Sequence, residues 1–286
     1  MQLRSPIFDA HFHIGPYGSQ QFEGRSIRPV AETLDHHHGN DCAAYLSQNR
    51  LSGGIIVPTY LSLQTAAFDY NALVIAAVEE QETLFGGLWV SPLEILEDHL
   101  SDVLNHPPHP KIRALKIASN TWEGCGIAPA GWSARVRRNV EQILEYAASH
   151  NLIIHFHTGY LPGADPRDFD SFMKVYGTRA RYQLVHMGEA IAPAFRFVPL
   201  FVEWIKSGYD VYTDTSIVPG FAPDWLLRLL DAEGLGFDRV FFATDSPWGR
   251  FPSEYWKVEG LDIPEEVKAG IFFNNAVAAY GIEDAF

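Results

Sequence analysis

The sequence predicts an α/β protein whose eight parallel strands and intervening helices close into a single (β/α)8 barrel over residues 1–286. Three observations carry that expectation. Eight short apolar runs rich in β-branched and aromatic residues recur along the chain. Helical patterns lie between several of them, and this alternation favours a parallel sheet. No Gly-rich dinucleotide fingerprint follows the first run, which counts against a doubly wound open sheet.

Taken in order, the first run is "IFDAHFHI" (7–14). In a regular strand, residues two apart share a face, so Asp9, His11 and His13 would point one way and Phe8, Ala10 and Phe12 the other. "GGIIVPT" (53–59) and "LFGGLWVS" (84–91) follow, then "HPPHP" (106–110), a loop. In "KIRALKIA" (111–118), Leu115 and Ile117 face the helices, so Lys116 points into the barrel. A helix is predicted over 133–150, with Ser133 as N-cap and Val136, Val140, Ile143, Leu144 and Ala147 as its apolar stripe. "NLIIHFH" (151–157) turns His155 and His157 inward, and "RYQLVH" (181–186) ends on a histidine. The next helix is read from about Pro199 through Val202 and Ile205 to a stop at Gly208. After "YDVYTD" (209–214) come a helix over 222–234, the strand "DRVFFATD" (238–245) and a C-terminal helix over 274–281.

Composition limits the function classes. Lys plus Arg number 21 against 35 Asp plus Glu, a formal net charge of −14. Such a surface repels nucleic acid and anionic membranes, so neither is expected as a partner. A small-molecule substrate is expected, and assembly into a homo-oligomer is left open. Two cysteines, Cys42 and Cys125, make no disulfide framework and no Cys-x-x-Cys pair. No leader pattern or apolar run of about 18 residues stands out, so a cytoplasmic location is expected.

Barrel enzymes carry their chemistry at the C-terminal ends of the strands. There the predicted strands place His11 and His13, Lys116, His157, His186 and Asp245. Taken alone, His11 and His13 could be structural histidines bonded within the strand. With the later residues, the set becomes a candidate metal site. His155 lies one inward layer deeper and is read as support or filling.

At these residues the chain resembles the amidohydrolase superfamily. "DAHFHIG" (9–15) is similar to its Asp-x-His-x-His opening, and "HTG" (157–159), "VHMGE" (185–189) and "FFATDSPW" (241–248) are similar to later strand signatures. The ending "FFNNAVAAYGI" (272–282) resembles that of the amidohydrolase-2 branch, metal-dependent hydrolases on a TIM barrel. The resemblance implies that His11, His13, His157 and Asp245 bind a divalent metal, with His186 catalytic or on a second metal. Three imidazoles suit zinc. One ion is favoured over two; in a binuclear version, Lys116 would be a carboxylated bridging ligand. The implied activity is metal-dependent hydrolysis of an amide, ester or lactone of a small molecule by a metal-activated water. Asp245 would act as base and His186 would polarise the carbonyl. One alternative is a metal-dependent non-oxidative decarboxylase of a small aromatic or unsaturated carboxylic acid. Another, of a different class, is an inactive binding barrel.

Several residues receive other readings. Asp214 is given a structural hydrogen-bonding role, and Glu189 is either near the site or an exposed loop carboxylate. "HHH" (36–38) is a solvated or lid segment before a helix, and His99, His106, His109 and His150 are surface residues. Tyr60, Trp122, Tyr160, Trp248 and Phe251 are candidates for lining a pocket. Arg250 is a candidate partner for a substrate carboxylate. Cys125 has no neighbouring histidine in the sequence and is given no catalytic role.

Overall fold

The computed structural model describes residues 4, 6–15, 20–22, 25–27, 38–59, 70–122 and 125–286, with backbone only for 20–22 and 25–27. Tyr60, His36 and His37 lie outside the described residues. The first strand, β1 (Phe8–Ile14), is followed by a short antiparallel hairpin, β2 (Gln20–Phe22) and β3 (Arg25–Ile27). The barrel continues with β4 (Gly53–Pro58), β5 (Leu84–Trp89), β6 (Ile112–Ile117) and β7 (Ile153–His157). It ends with β8 (Arg181–Val185), β9 (Val211–Asp214) and β10 (Val240–Phe241). The sheet order is β1-β4-β5-β6-β7-β8-β9-β10, parallel throughout.

The ladder ends at β1 and β10, and backbone bonds join these two edges. Ala10 N donates to Phe242 O (3.0 Å), Asp245 N to His11 O (2.8 Å) and His13 N to Ser246 O (2.9 Å). The strand expected over 238–245 therefore pairs with β9 only at Val240 and Phe241, and its continuation closes the barrel against β1.

The outer ring comprises α1 (Gly39–Asn49), α2 (Asn71–Glu80), α3 (Glu97–Leu104), α4 (Ala134–Ser149), α5 (Pro166–Tyr176), α6 (Ile191–Lys206), α7 (Phe221–Ala232) and α8 (Phe251–Glu259). Helix α4 forms as its sequence predicts. The Ser133 hydroxyl accepts from Val136 N (3.1 Å), and the stripe from Val136 to Ala147 is buried. Helix α6, expected to start at Pro199, begins eight residues earlier. Pro199 removes the N–H that the Phe195 carbonyl would accept, but both residues lie on the exposed face, where water can serve that carbonyl. His38 is the N-cap position of α1. The C-terminal helix is preceded by α9 (Glu265–Ala269) and a π-turn (Gly270–Asn274), and is itself α10 (Asn275–Tyr280).

Strand β1 departs from the expected alternation. Its register against β4 shifts between Asp9 and Phe12, a bulge that reverses side-chain parity midway. Phe8 and Ala10 point into the barrel, whereas Phe12 and Ile14 pack in the helix layer. Asp9 therefore does not share the face of His11 and His13. Its carboxylate turns toward α1, accepting from the Tyr45 hydroxyl (2.9 Å), the Thr244 hydroxyl (2.5 Å) and Thr244 N (3.0 Å). Gly54 permits this approach, because a Cβ there would lie 2.7 Å from Asp9 O and 2.8 Å from the Phe12 ring.

Candidate metal centre at the barrel mouth

Three inward layers fill the barrel. The lowest is apolar, with Phe8, Ile55, Phe85, Ala114, Ile153 and Phe241 meeting α10 from below. Above it, the Tyr280 hydroxyl, carried by α10, bonds His155 Nε2 and Gln183 Oε1. The top layer opens into a cavity of about 300 Å³ lined by His13, Lys116, His157, His186, Glu189, Ile217, Asp245 and Trp248. Four of these residues have positive φ: His186 (72°), Glu189 (64°), Ile217 (56°) and Asp245 (54°). Non-glycine residues in this region cost about 1–3 kcal/mol each and concentrate at functional sites.

The bulge in β1, the inward parity of β6 and β7 and the turns after β8 and β10 bring His11, His13, Lys116, His157, His186 and Asp245 together at one end of the barrel. His13 Nδ1 lies 3.1 Å from the Pro58 carbonyl, which can only accept, so Nδ1 carries the proton. The Nε2 lone pair then faces Asp245 Oδ1 at 3.0 Å. Two acceptors at that distance need a proton or a cation between them. His11 Nδ1 is buried, has no hydrogen-bond partner and lies 3.5 Å from the same oxygen. Ligands about 2.0–2.2 Å from one ion lie roughly 3–3.6 Å apart, which spans both separations. The donor set therefore fits a cation.

Among the described residues, two sets place their ligand atoms within 4.8 Å of one another: His11, His13 and Asp245, and His11, His186 and Asp214. His157 belongs to neither. It faces the same cavity, its ring centroid 5.1 Å from that of His186 and its Nε2 3.8 Å from Glu189 Oε2.

Burial dominates the electrostatics. It holds the imidazoles of His11, His13, His155 and His186 well below their ordinary value and brings His157 to about 3, with the Lys116 charge adding to the effect. These rings are neutral, the form that binds metal. Burial pushes the Asp245 carboxyl up to about 7, opposed by Lys116, and the Glu189 carboxyl also to about 7. Lys116 falls to about 8 through burial, against the pull of Asp245 and Asp214. Its Nζ lies 3.0 Å from His11 Nε2. Loss of the Lys116 proton, which a cation held by His11 would favour, would let Nζ accept the Nε2 hydrogen and leave His11 Nδ1 as a lone pair. Lys116 thus pairs with His11, while Asp9 is occupied elsewhere.

Glu189 lines the cavity and is not a plain loop carboxylate; its Oε2 is buried without a hydrogen-bond partner. Trp248 also lines it, with its ring 4.5 Å from that of His13. Trp122 and Phe251 are core residues, Tyr160 is 60% exposed, and Arg250 is exposed and absent from the lining. Cys125 is half-buried beside the core. Asp214 has the hydrogen-bonding role assigned to it: it accepts from Gln183 Nε2, His186 N, Ser216 N and Ser216 Oγ. Ser216, Gln183, Tyr280 and Ile217 were missed. "TDTS" (213–216) held a signal for Ser216, since an aspartate commonly accepts from the backbone two residues on. None of the described helices is long and apolar enough to cross a membrane.

No curated protein matches the sequence. Solved structures do. A 5-carboxyvanillate decarboxylase from Sphingomonas paucimobilis has a TM-score of 0.65 at 16% identity, covering 97% of this chain and 99% of that one. The corresponding decarboxylase from Novosphingobium aromaticivorans, solved with manganese and 4-hydroxy-3-methoxy-5-nitrobenzoic acid, has a TM-score of 0.69 at 13% identity, covering 97% and 96%. An amidohydrolase from Burkholderia multivorans with bound zinc has a TM-score of 0.68 at 13% identity, covering 97% and 99%. At these identities the likeness establishes the barrel fold. The model of the family described as amidohydrolase matches residues 8–282, from the first residue of β1 to two residues past α10, and the chain belongs to that family.

Proposed function

We propose that the protein is a metal-dependent, non-oxidative decarboxylase of a small aromatic or unsaturated carboxylic acid. Hydrolysis was the leading expectation from sequence; the recurrence of decarboxylases among the similar structures supports the alternative better. The observation that carries the reading is the position of Asp245, a buried carboxyl in the cavity lining whose Oδ1 lies 3.0 Å from His13 Nε2 and 3.8 Å from His186 Nε2. A carboxyl so placed can carry a proton to the substrate carbon.

His11, His13 and Asp245, with His157 as fourth, are the residues that would hold one divalent cation. When bound, the cation supplies a Lewis acid that gathers the substrate's oxygens and disperses their charge. Manganese and zinc, both present in similar structures, are the candidates. The pairing of Lys116 with His11 supports one ion, with Lys116 orienting His11 rather than bridging two metals.

The remaining steps belong to the chain. Trp248 and Ile217 provide an apolar wall for a ring or an alkene, and the histidine floor receives the carboxylate end. Asp245 gives its proton to the carbon that bears the carboxylate. The bond to the carboxyl carbon then breaks, its electron pair stays with the substrate, and CO2 leaves. One proton replaces one CO2, and no oxidant is required. His186, with Nε2 3.8 Å from Asp245 Oδ1, orients that carboxyl.

The test is a panel of aromatic and unsaturated carboxylic acids beside a panel of lactones, esters and amides, using metal-loaded protein. Release of CO2 with the matching decarboxylated product, lost on chelation, is expected. Proton release from a lactone, ester or amide without CO2 would restore hydrolysis as the function.

A further inference from the structure

The cavity accounts for His186 Nε2, but the other ring nitrogen leads to residues that no step above uses. His186 Nδ1 lies 2.8 Å from Ser216 Oγ, and Ser216 Oγ lies 2.6 Å from Asp214 Oδ1. Ser216, Asp214 and Gln183 are fully buried. We propose that Asp214 and Ser216 are positioning residues that lock His186 in its Nδ1–H tautomer, so that Nε2 faces the cavity as a hydrogen-bond acceptor.

The argument is a count of hydrogens. Asp214 Oδ1 faces His186 N at 3.3 Å, Ser216 N at 3.1 Å and the Ser216 hydroxyl, while Oδ2 faces Gln183 Nε2 at 2.8 Å. Every one of these groups can donate, so Asp214 acts throughout as an acceptor. Ser216 has a single hydroxyl hydrogen. At 2.6 Å from a carboxylate oxygen, that hydrogen must lie between the two oxygens, because two bare lone pairs would repel. The Ser216 oxygen then has only lone pairs for His186, and Nδ1 must be the donor. Gln183 Nε2 holds the second carboxylate oxygen, so the carboxylate cannot turn away. The φ of 72° at His186 directs the ring into this arrangement, and the backbone N–H of the same residue reaches the same carboxylate.

The consequence deepens the decarboxylase reading and rests on it. A locked Nε2 presents a lone pair to the cavity beside Asp245 Oδ1, 3.8 Å away, where it can accept from a donor on the substrate. A reversed ring would present Nε2–H there instead.

The experiment uses the full-length, metal-loaded protein with 15N-labelled histidine, the His186 signal being assigned by its loss in His186→Gln. Long-range 15N–1H correlations report which ring nitrogen carries hydrogen. The wild type should show Nδ1–H. Ser216→Ala should give a mixed or reversed tautomer, and Ser216→Thr should restore the original. In kinetics, Ser216→Ala should lower kcat by about 10–100-fold, the usual effect of removing such a partner, with KM and bound metal unchanged. Ser216→Thr should recover the rate. An Nε2–H tautomer in the wild type overturns the proposal, whether or not any variant folds. So does an unchanged tautomer in Ser216→Ala, or a Ser216→Ala protein that only melts earlier while keeping its kcat. The tautomer is read without substrate, so failure of the decarboxylase assay leaves this result standing on its own.

Discussion

The two ends of the barrel are built from the same strands but obey different rules. At the lower end the inward residues are Phe8, Phe85, Ile153 and Phe241, closed from below by α10, with no Asp, Glu, Lys, Arg or His among them. At the upper end they are His13, His157, His186, Lys116 and Asp245, all nearly as buried, around an open cavity. Burial of apolar groups stabilises the fold; burial of charged ones stabilises it only when partners are supplied. The lower end therefore holds the barrel together, and the upper end is a strained, desolvated site that a cation would relieve.

Acid gives the largest expected contrast, because the apolar lower layer holds no Asp, Glu, Lys, Arg or His and the layers above and around it do. Five imidazoles there, His11, His13, His155, His157 and His186, have folded-state values depressed below 6.5. Their contribution is fully present above 6.5 and is lost as pH falls. Five carboxyls, Asp9, Asp214, Asp245, Glu189 and Glu254, are raised by burial. They act in the opposite sense, favouring the folded state as they take up protons, which for Asp9, Asp245 and Glu189 begins at about 7. Between pH 6.5 and about 4 the two sets oppose each other. Below about 4 the unfolded chain also protonates its carboxylates, and the imidazoles act alone. Each such proton costs about 1.4 kcal/mol per pH unit, so five set a ceiling of about 7. The melting temperature of the metal-free protein should therefore fall less per pH unit between pH 6.5 and about 4 than it does below that range. A melting temperature that declines steadily from 6.5 would show that the carboxyls do not compensate.

Asp245→Asn tests the upper end by itself. Decarboxylation should fall by about 10²–10⁴-fold, the range for loss of a proton-transfer group. The melting temperature of the metal-free variant should hold or rise, since a buried carboxylate has been neutralised. Full activity in this variant would remove Asp245 from the mechanism.

Phe8→Ala tests the lower end. Phe8 is fully buried, with its ring 6.4 Å from that of Phe85 and 5.8 Å from that of Phe286. Truncation should cost about 3–5 kcal/mol in denaturant unfolding. The kcat of the molecules that remain folded should be unchanged, and a fall in kcat without loss of stability would mean the two ends are coupled.

The ends also differ in how far they could be read from sequence. The lower layer follows from alternation alone: Ile153 and Phe241 have the inward parity that His155, His157 and Asp245 continue upward. Lys116 was placed inward by the same rule, and the ring α4 by its cap and stripe. The bulge after Asp9 was not legible, because "DAHFH" alternates perfectly and the slip exists only in the pairing with β4. The start of α6 was missed because a proline inside a helix is tolerated when the carbonyl it strands is exposed, and exposure is a tertiary property. The positive φ values at His186, Glu189, Ile217 and Asp245 carry no glycine to announce them. Ser216 and Tyr280 act through bonds to residues 30 and 125 positions away, distances at which no local pattern operates.

Tyr280→Phe probes the boundary between the two ends and has the smallest expected effect. The hydroxyl, carried into the barrel by α10, serves both His155 Nε2 and Gln183 Oε1. Its removal leaves two buried polar atoms without that partner, at a cost of about 1–3 kcal/mol in unfolding. The Phe ring keeps the packing against Phe241, so no cavity term is added. Gln183 Nε2 remains on Asp214, and the Asp214–Ser216–His186 chain above it is untouched. Stability should therefore fall while kcat and metal content hold. A kcat loss matching that of Ser216→Ala would move the boundary down one layer and place the Tyr280 hydroxyl within the site.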